Sequence, residues 1–166
     1  MSKVVKLDFI WNKDVATKSF DELYRYEFNH SAKKYIGWLF VALLQFGVVA
    51  TFKKGDVTLL IFSTIVLGYW YIFKRMIAKS LFLKRFENDP LKDKNISLEA
   101  DEKGLHFKNQ NIFWNWSEIE SLEDVKNGLL LIKHPNHYFI PLSAFKSFED
   151  KNDFKMLFKE GKTQSE

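Results

Sequence analysis

The most prominent pattern in this sequence is a pair of apolar segments set between highly charged stretches. Tyr35 to Phe52 is 18 residues long with Gln45 as its only strongly polar side chain, and Val57 to Phe73 is 17 residues long without a charge or an amide. As helices, each would span about 26 Å, close to the thickness of a bilayer core. Neither segment has a polar face, whereas a helix buried in so small a domain should be amphipathic. The pattern predicts two membrane-spanning helices; the alternative is two buried helices of a soluble protein.

The residues between these segments, 53–56, are few enough to predict a tight antiparallel hairpin. Both ends of the chain then lie on one side of the membrane. Seven basic residues flank the hairpin on that side and only Lys53 and Lys54 lie in the loop, and such an excess is typical of the cytoplasmic side. The seven are Lys33, Lys34, Lys74, Arg75, Lys79, Lys84 and Arg85. Both termini are therefore predicted to be cytoplasmic.

The hairpin also predicts which residues share a depth. With the turn between Lys54 and Gly55, positions whose numbers sum to about 109 lie opposite each other, which places Gln45 beside Ser63 and Thr64. A lone amide in hydrocarbon needs a partner. We expect these three side chains to clasp the two helices by hydrogen bonds, or Gln45 to make an equivalent contact between two copies. A transport path is not favoured, because the spans contain no acidic residue, basic residue or histidine.

The residues before the hairpin predict a strand and then an amphipathic helix. Val4 to Ile10 alternates apolar and polar positions, and apolar residues recur at helical spacing from there to about Asn29. Candidate capping residues are Asn12 or Asp14 at the start of this helix, and Ser19 with Glu22 one turn in. The aromatic face of the helix would pack on the protein itself or, alternatively, lie at the membrane surface.

The residues after the second span predict a continued helix and then a small sheet. The helix runs through residues 74–86 and ends at Asn88-Asp89-Pro90. Six short strands are predicted at 96–100, 105–107, 112–116, 119–125, 129–133 and 138–140, with an Asn127-Gly128 hairpin turn. Ser147 and Asp150 open a closing helix. With Val4 to Ile10 as a seventh strand, the pattern approaches a half-barrel similar to a pleckstrin-homology (PH) domain.

The fold class predicted from these elements is a membrane α+β protein: a two-helix transmembrane hairpin plus a small antiparallel β half-barrel, PH-like, with a C-terminal helix. The predicted organisation is an N-terminal strand and helix at 1–32, the hairpin at 33–75 with spans at 35–52 and 57–73, a juxtamembrane helix and linker at 76–94, the C-terminal domain at 95–160 and a tail at 161–166.

Composition removes several kinds of chemistry. The chain has no cysteine, so it has no disulfide, thiolate metal site or cysteine nucleophile. Its seven glycines are scattered and form no phosphate-binding loop, and no serine lies in a nucleophile elbow. We therefore assign no catalytic residue, cofactor or metal. A nucleic-acid partner is not favoured either, because the charge around the tryptophans of the predicted sheet is acidic although the chain carries a net +4.

Two groups of polar residues could suggest a metal site or a pair of catalytic carboxylates, but a surface position explains each group more simply. His134 and His137 flank a proline turn that has no carboxylate of its own, which favours an exposed hairpin tip over a metal site. Acidic residues recur between Glu118 and Asp124 and alternate with Ile119 and Leu122, which favours a solvated strand face over paired catalytic carboxylates. These acidic residues are Glu118, Glu120, Glu123 and Asp124.

Five residues form the candidate partner or lipid surface. Trp114 and Trp116 fall on alternate positions of one predicted strand, which is more often a core arrangement and otherwise a partner-binding groove. Lys79, Lys84 and Arg85 follow the second span, where basic residues attract anionic lipid headgroups or serve only as positive-inside flanks. The expected partners are membrane lipid and an unknown protein, and the spans also allow a homo-oligomer.

The run FWNWSEIESLEDVKNGLLLI, followed by YFIPLSAF, resembles the YcxB-like family of small bacterial membrane proteins. The resemblance is carried by a Trp-x-x-Ile entry, a hairpin and an Ile-Pro-x-x-x-Phe element, and it extends to the preceding two-span hairpin. The matching positions are Trp116, Ile119, Ile140, Pro141 and Phe145. The resemblance implies a multi-pass protein of the bacterial inner (cytoplasmic) membrane with a cytoplasmic domain, and it supplies no catalytic residues.

These observations favour a non-enzymatic, membrane-anchored interaction or regulatory protein that presents its cytoplasmic domain to a protein or a lipid headgroup. One alternative is a membrane-bound enzyme with a dispersed site that carries no recognisable motif. Another is a structural subunit that assembles through its spans.

Overall fold

The structure, a computed structural model, describes residues 4–163 apart from 56 and 109, and only the backbone of Lys33 and Lys34. The described chain is an α+β protein with four helices and two antiparallel sheets. The helices are α1 (Lys13–His30), α2 (Lys33–Lys54), α3 (Thr58–Phe86) and α4 (Phe148–Thr163). The strands are β1 (Val5–Ile10), β2 (Asn95–Ala100), β3 (Gly104–Phe107), β4 (Ile112–Asn115), β5 (Ser121–Val125), β6 (Gly128–Lys133) and β7 (Asn136–Pro141).

The chain divides into two compact units. The residues up to Leu23 and those from Phe86 onward form the first unit, which we call the sheet domain. Residues Tyr24–Arg85 form the second, which we call the hairpin unit. In sequence, the hairpin unit is therefore an insertion into the sheet domain, between β1 and β2.

The first sheet has the order β1-β2-β3-β4, and all its strand pairs are antiparallel. Residues Val5 to Ile10 of β1 pair with residues Ala100 to Asn95 of β2, so the predicted N-terminal strand joins the C-terminal strands. Alternate residues of β1 are buried, as the sequence pattern predicts for a half-buried strand. The buried face of this sheet includes Leu7, Leu98 and Leu105.

The second sheet has the order β5-β6-β7. A hairpin turn joins β5 to β6 as predicted, but its two loop residues are Lys126 and Asn127, one position before the predicted Asn127-Gly128, because Gly128 already pairs with Val125. The central strand β6 is buried along nearly its whole length. Helix α4 closes the domain and begins with a reciprocal cap: the Asp150 amide donates to the Ser147 hydroxyl, and the Ser147 amide donates to the Asp150 carboxylate.

The predicted fourth strand is shorter than expected. It ends at Asn115, and Trp116–Glu118 form a 3₁₀ turn capped by the Asn115 side chain. The turn directs the indole of Trp116 into the core, where it lies against Phe154 and Phe158 of α4. Its Nε1 donates to the Asp101 carbonyl oxygen at 2.8 Å, so the buried ring leaves no polar group unpaired.

Helix α1 begins where the sequence predicts. The side chain of Asn12 accepts a hydrogen bond from the Val15 amide, as expected of an N-cap. Ser19 and Glu22 do not cap this helix, because they lie inside it and are buried. Glu22 instead accepts a hydrogen bond from the Asn127 side chain at 2.7 Å.

In the hairpin unit, α2 and α3 pack closely at Gly47. A β-carbon at this position would lie only 2.9 Å from Leu60 Cα, so glycine permits the approach of the two backbones. Gly55 ends α2 with a φ of +69°, a conformation that glycine adopts without strain. Helix α3 runs unbroken to Phe86 through a π-helical segment at Tyr69–Phe73, so the second span continues beyond residue 73 as predicted.

Helices α2 and α3 are long and apolar enough to cross a membrane, and the chain does not cover them. Only 11% of the most apolar window of α2 and 6% of that of α3 are buried. A core helix of a soluble protein passes the same test of length and composition, but such a helix is mostly buried. Most of the apolar surface of these two helices is therefore exposed among the residues that the structure describes.

Candidate functional site

The outer face of the first sheet carries a row of side chains that crosses all four strands. Strand register places Lys6 of β1 next to Glu99 of β2, then His106 of β3, then Phe113 of β4. Glu99, His106 and Phe113 of this row line part of an open groove of about 410 Å³. We call it the sheet groove; it is lined by Val4, Glu99, Asp101, His106, Phe107, Lys108, Asn111, Ile112 and Phe113.

The centre of the sheet groove is a carboxylate shared by two lysines. Glu99 Oε1 lies 2.5 Å from Lys108 Nζ and 3.4 Å from Lys6 Nζ. The hydrogen bond from Lys108, followed by the charges of both lysines, holds the pKa of Glu99 below its ordinary value. Glu99 therefore stays ionised at neutral pH, and the groove lining sets the carboxylates of Glu99 and Asp101 beside the ammonium group of Lys108.

An Asp-His pair lies beside this cluster. Asp101 Oδ1 accepts hydrogen bonds from the amides of Lys103 and Gly104, and its Oδ2 lies 3.2 Å from His106 Nε2. The imidazole lies 4.4 Å from the ring of Phe113. Among the described residues that line the sheet groove, none offers a hydroxyl or thiol for this pair to activate. The arrangement is suited to binding: an aromatic wall beside an imidazole held by Asp101, and a floor that pairs Glu99 with Lys108.

The two tryptophans proposed for a partner surface are core residues in this structure. Trp116 has no exposed surface and Trp114 is 8% exposed. The ring of Trp114 contacts the rings of Phe107 and Tyr138. Lys133 Nζ lies over the Trp114 ring, 4.5 Å from its centroid. Neither indole is open to a partner, so the alternative core interpretation describes both.

The three basic candidates lie on the last turns of α3. Lys84 and Arg85 are exposed, and Lys79 is half-buried. Five and six residues separate Lys79 from the other two, so at 100° per residue the three do not form one stripe. They leave positive charge on several sides of the helix.

The predicted clasp within the hairpin does not form. The Ser63 hydroxyl donates to the carbonyls of Leu59 and Leu60, and the Thr64 hydroxyl donates to that of Leu60, all in their own helix. Gln45 is exposed. The reason is rotation: Gln45 precedes Gly47 by two residues, so it lies about 200° around α2 from the face that packs on α3.

The histidines at the β6–β7 turn have a neighbour that the turn sequence does not show. His134 Nδ1 lies 3.2 Å from Glu120 Oε1, because strand pairing brings the start of β5 beside the end of β6. The rings of His134 and His137 are 6.4 Å apart. No group of three metal-ligating side chains occurs in the part of the chain that the structure describes.

The acidic residues of 118–124 lie mostly at the surface, and two of them, Glu118 and Asp124, pair with lysines. Glu118 Oε2 is 2.5 Å from Lys133 Nζ, and Asp124 Oδ1 is 2.5 Å from Lys151 Nζ. Asp124 also pairs with Lys155, which ties β5 to α4. These contacts agree with the solvated-face interpretation.

Sequence reasoning missed the sheet groove. His106 was recognisable only as a single histidine on the polar face of a strand, and Lys6 lies about 100 residues from it along the chain. The alternation of each strand shows which residues face outward, but the row needs the register between strands.

Comparison of this chain with protein-family models, with curated proteins and with solved structures gives no match. The functional argument therefore depends on the geometry of the chain itself.

Proposed function

We propose that this chain is a membrane-anchored interaction protein of the bacterial inner membrane, with both termini in the cytoplasm. The observation that carries the proposal is the exposure of α2 and α3, whose apolar side chains are left uncovered along two helices of membrane-spanning length. Lipid acyl chains are the solvent in which such a surface is stable.

The pairing of β1 with β2 supports the proposal that both termini lie on the same side of the membrane. Ile10 pairs with Asn95, so these residues lie in one sheet although the whole hairpin separates them in sequence. The chain between them must cross the membrane an even number of times. Two crossings satisfy this condition, and the excess of basic residues near the termini favours the cytoplasmic side.

We further propose that the sheet domain is a PH-like scaffold of the YcxB type. Supporting this proposal are a sheet of four strands, a sheet of three and a C-terminal helix, in that order. The resemblance motif also has a physical basis in the fold, because most of its residues are core residues: Trp116, Ile119, Ile140 and Pro141 are buried.

The surface proposed for a partner is the sheet groove, and the basic end of α3 is proposed to contact anionic headgroups. The groove combines exposed aromatic area on Phe113 with the ion pair of Glu99 and Lys108 and the hydrogen-bonding imidazole of His106, a combination suited to a protein segment. Lys84 and Arg85 lie at the C-terminal end of α3, 11 and 12 residues beyond the end of the predicted span at Phe73, and basic residues on this side of a membrane attract anionic headgroups.

The membrane part of the proposal is tested by labelling introduced cysteines, since the natural chain contains none. In intact spheroplasts, an impermeant maleimide should label Lys54→Cys, in the hairpin loop. It should label Asn136→Cys, at the exposed tip of the sheet domain, only after the membrane is permeabilised. The reverse pattern would overturn the orientation, and release of the chain by alkaline carbonate would overturn membrane insertion.

The partner part is tested by purification of the whole chain in mild detergent. The proposal expects a stoichiometric protein that is lost with the double variant His106→Ala, Phe113→Ala and retained with the control Phe148→Ala, which removes a more exposed ring outside the groove. Retained anionic lipid should fall with Lys84→Gln, Arg85→Gln. A bound nucleotide or metabolite that the chain converts would instead support the enzyme alternative.

A further inference from the structure

Gln45 is an amide placed where neither the chain nor lipid can satisfy it. It lies about 18 Å from the start of α2 at Lys33 and about 14 Å from its end at Lys54, at a rise of 1.5 Å per residue. If the hairpin spans the membrane as proposed above, this amide is near the bilayer midplane. An amide without a partner at that depth costs free energy.

The structure shows that α3 does not partner this amide. Gly47 faces Leu60 of α3, and Gln45 points to the opposite side of α2 and is exposed. Among the residues that the structure describes, none forms a hydrogen bond with the Gln45 side chain. The partner must come from outside this copy of the chain.

The face of α2 around Gln45 is apolar and uncovered. Trp38, Val49 and Phe52 lie within about 40° of Gln45 around the helix, at seven residues before it and four and seven after it. They are 69%, 51% and 88% exposed. The face thus has a single polar group in the middle of a stripe of apolar side chains, which is typical of a contact between membrane helices.

We propose that this face pairs with the same face of a second copy, with the two Gln45 amides bonded to each other. All copies insert with the same orientation, so a two-fold axis along the membrane normal puts both amides at the same depth. Each amide has donors and acceptors, so two of them satisfy each other reciprocally. A lipid chain offers neither group, and a different protein would need a polar group at this particular depth. The proposal rests on membrane insertion of the hairpin.

The contact is tested by disulfide crosslinking of the full chain in lipid vesicles. Val49→Cys places the only cysteine of the chain on the proposed face, one turn from Gln45. Ile61→Cys is the matched control: it is 55% exposed, close to the 51% of Val49, but it lies on α3. Mild oxidation should give a covalent dimer with Val49→Cys and little with Ile61→Cys. Equal yields from the two variants, or no covalent dimer with Val49→Cys, would overturn the proposal.

The role of the amide is tested in chains that contain no cysteine. Energy transfer between copies that carry donor and acceptor fluorescent proteins measures the monomer–dimer equilibrium at several protein-to-lipid ratios. Gln45→Leu should raise the dissociation constant about fivefold, equivalent to about 1 kcal/mol. Gln45→Asn keeps the amide and should recover most of the affinity, whereas Phe46→Leu, at an exposed neighbour, should leave it unchanged. A dimer that Gln45→Leu does not weaken would overturn the proposal.

The failure of this proposal differs from the failure of the proposed function. A chain that resists carbonate extraction yet stays monomeric at every protein-to-lipid ratio contradicts the dimer and leaves the membrane anchor intact. A chain that carbonate releases contradicts the anchor and the dimer together.

Discussion

The sheet domain and the hairpin unit distribute polarity in opposite ways. In the sheet domain, Leu129 to Leu131 are fully buried, and the described charged residues other than Glu22 lie outside the core. In the hairpin unit, Phe46 and Ile65 are about two-thirds exposed, and Ser63 is fully buried. The same apolar residue types are thus buried in one unit and exposed in the other. One unit removes them from water, and the other presents them outward, as expected of a unit surrounded by lipid.

The largest effect predicted from this comparison is the loss of one tryptophan from the sheet domain. Trp116→Ala should lower the free energy of unfolding by about 3–5 kcal/mol, because it leaves a cavity among Phe154 and Phe158 and removes a buried hydrogen bond. Urea unfolding followed by circular dichroism in detergent measures it.

The matched control for this variant is Trp38→Ala in the hairpin unit. Trp38 is 69% exposed in its own chain and lies outside the sheet domain, so its loss leaves no cavity in that core. The comparison predicts a change below about 0.5 kcal/mol in the same unfolding transition. Equal losses of unfolding free energy in the two variants would contradict the proposed difference between a buried and an exposed tryptophan.

The next effect is the introduction of a charge on the outer surface of each unit. Ile65→Lys should oppose membrane insertion by about 2.5–3.5 kcal/mol, since it places an ammonium group near the middle of the second span. Ile10→Lys has a similar starting exposure in the sheet domain and should have almost no effect. The carbonate-resistant fraction of each variant measures insertion, and a fully resistant Ile65→Lys protein would argue against a lipid-facing α3.

A smaller effect is expected where the two helices touch. Gly47→Ala should destabilise their packing by about 1–2 kcal/mol, because the new methyl group would lie 2.9 Å from Leu60 Cα. Gly68→Ala adds the same methyl group where no atom lies within 4 Å, and its effect should be negligible. Thermal unfolding of the hairpin in detergent measures both, and equal shifts would show that the close approach is unimportant.

The smallest predicted effect is a loss of stability of the sheet domain in acid. Hydrogen bonds from Lys151 and Lys155 lower the pKa of Asp124, and a hydrogen bond from Lys133 lowers that of Glu118. A lowered folded-state pKa gives stability that is present above the unfolded-state pKa and is lost as pH falls through the folded-state value. Stability should therefore hold from pH 7 to about pH 5 and decline below about pH 4.

Asp124→Asn checks the source of this acid dependence. Asp124 is nearly half exposed, so its ion pairs should contribute no more than about 1 kcal/mol at pH 7. The variant should be less stable than the natural chain at pH 7 and similar to it at pH 3, as judged by urea unfolding. A constant difference at both pH values would assign the effect to packing.

Most of the architecture could be predicted from local sequence signals. The seven strands, the helix that opens at Ser147 and the long apolar helices all follow from alternation, capping residues and hydropathy. The hairpin also has the expected depth register, since Gly47 with Leu60 and Gly37 with Tyr71 give sums of 107 and 108, against an expected 109.

What the sequence could not provide is the direction in which individual side chains point. The depth of Gln45 follows from its number, but its rotation depends on which face of α2 packs on α3, and that face is fixed by Gly47. Trp116 follows the strand alternation in sequence, yet a 3₁₀ turn changes its direction. The sheet groove likewise depends on register between strands that are distant in sequence.

The position of β1 imposes an order on biosynthesis. This strand leaves the ribosome before the other described elements, yet Asn95, the partner of its residue Ile10, is made 85 residues later. Until then, the backbone hydrogen-bonding groups of β1 have no strand to pair with, and its apolar face is not packed in a core. The pairing of β1 with β2 can form only after the hairpin has been made. A nascent chain stalled before β2 should thus be a substrate for chaperones and proteases, and its release from them should coincide with the synthesis of residues 95–100.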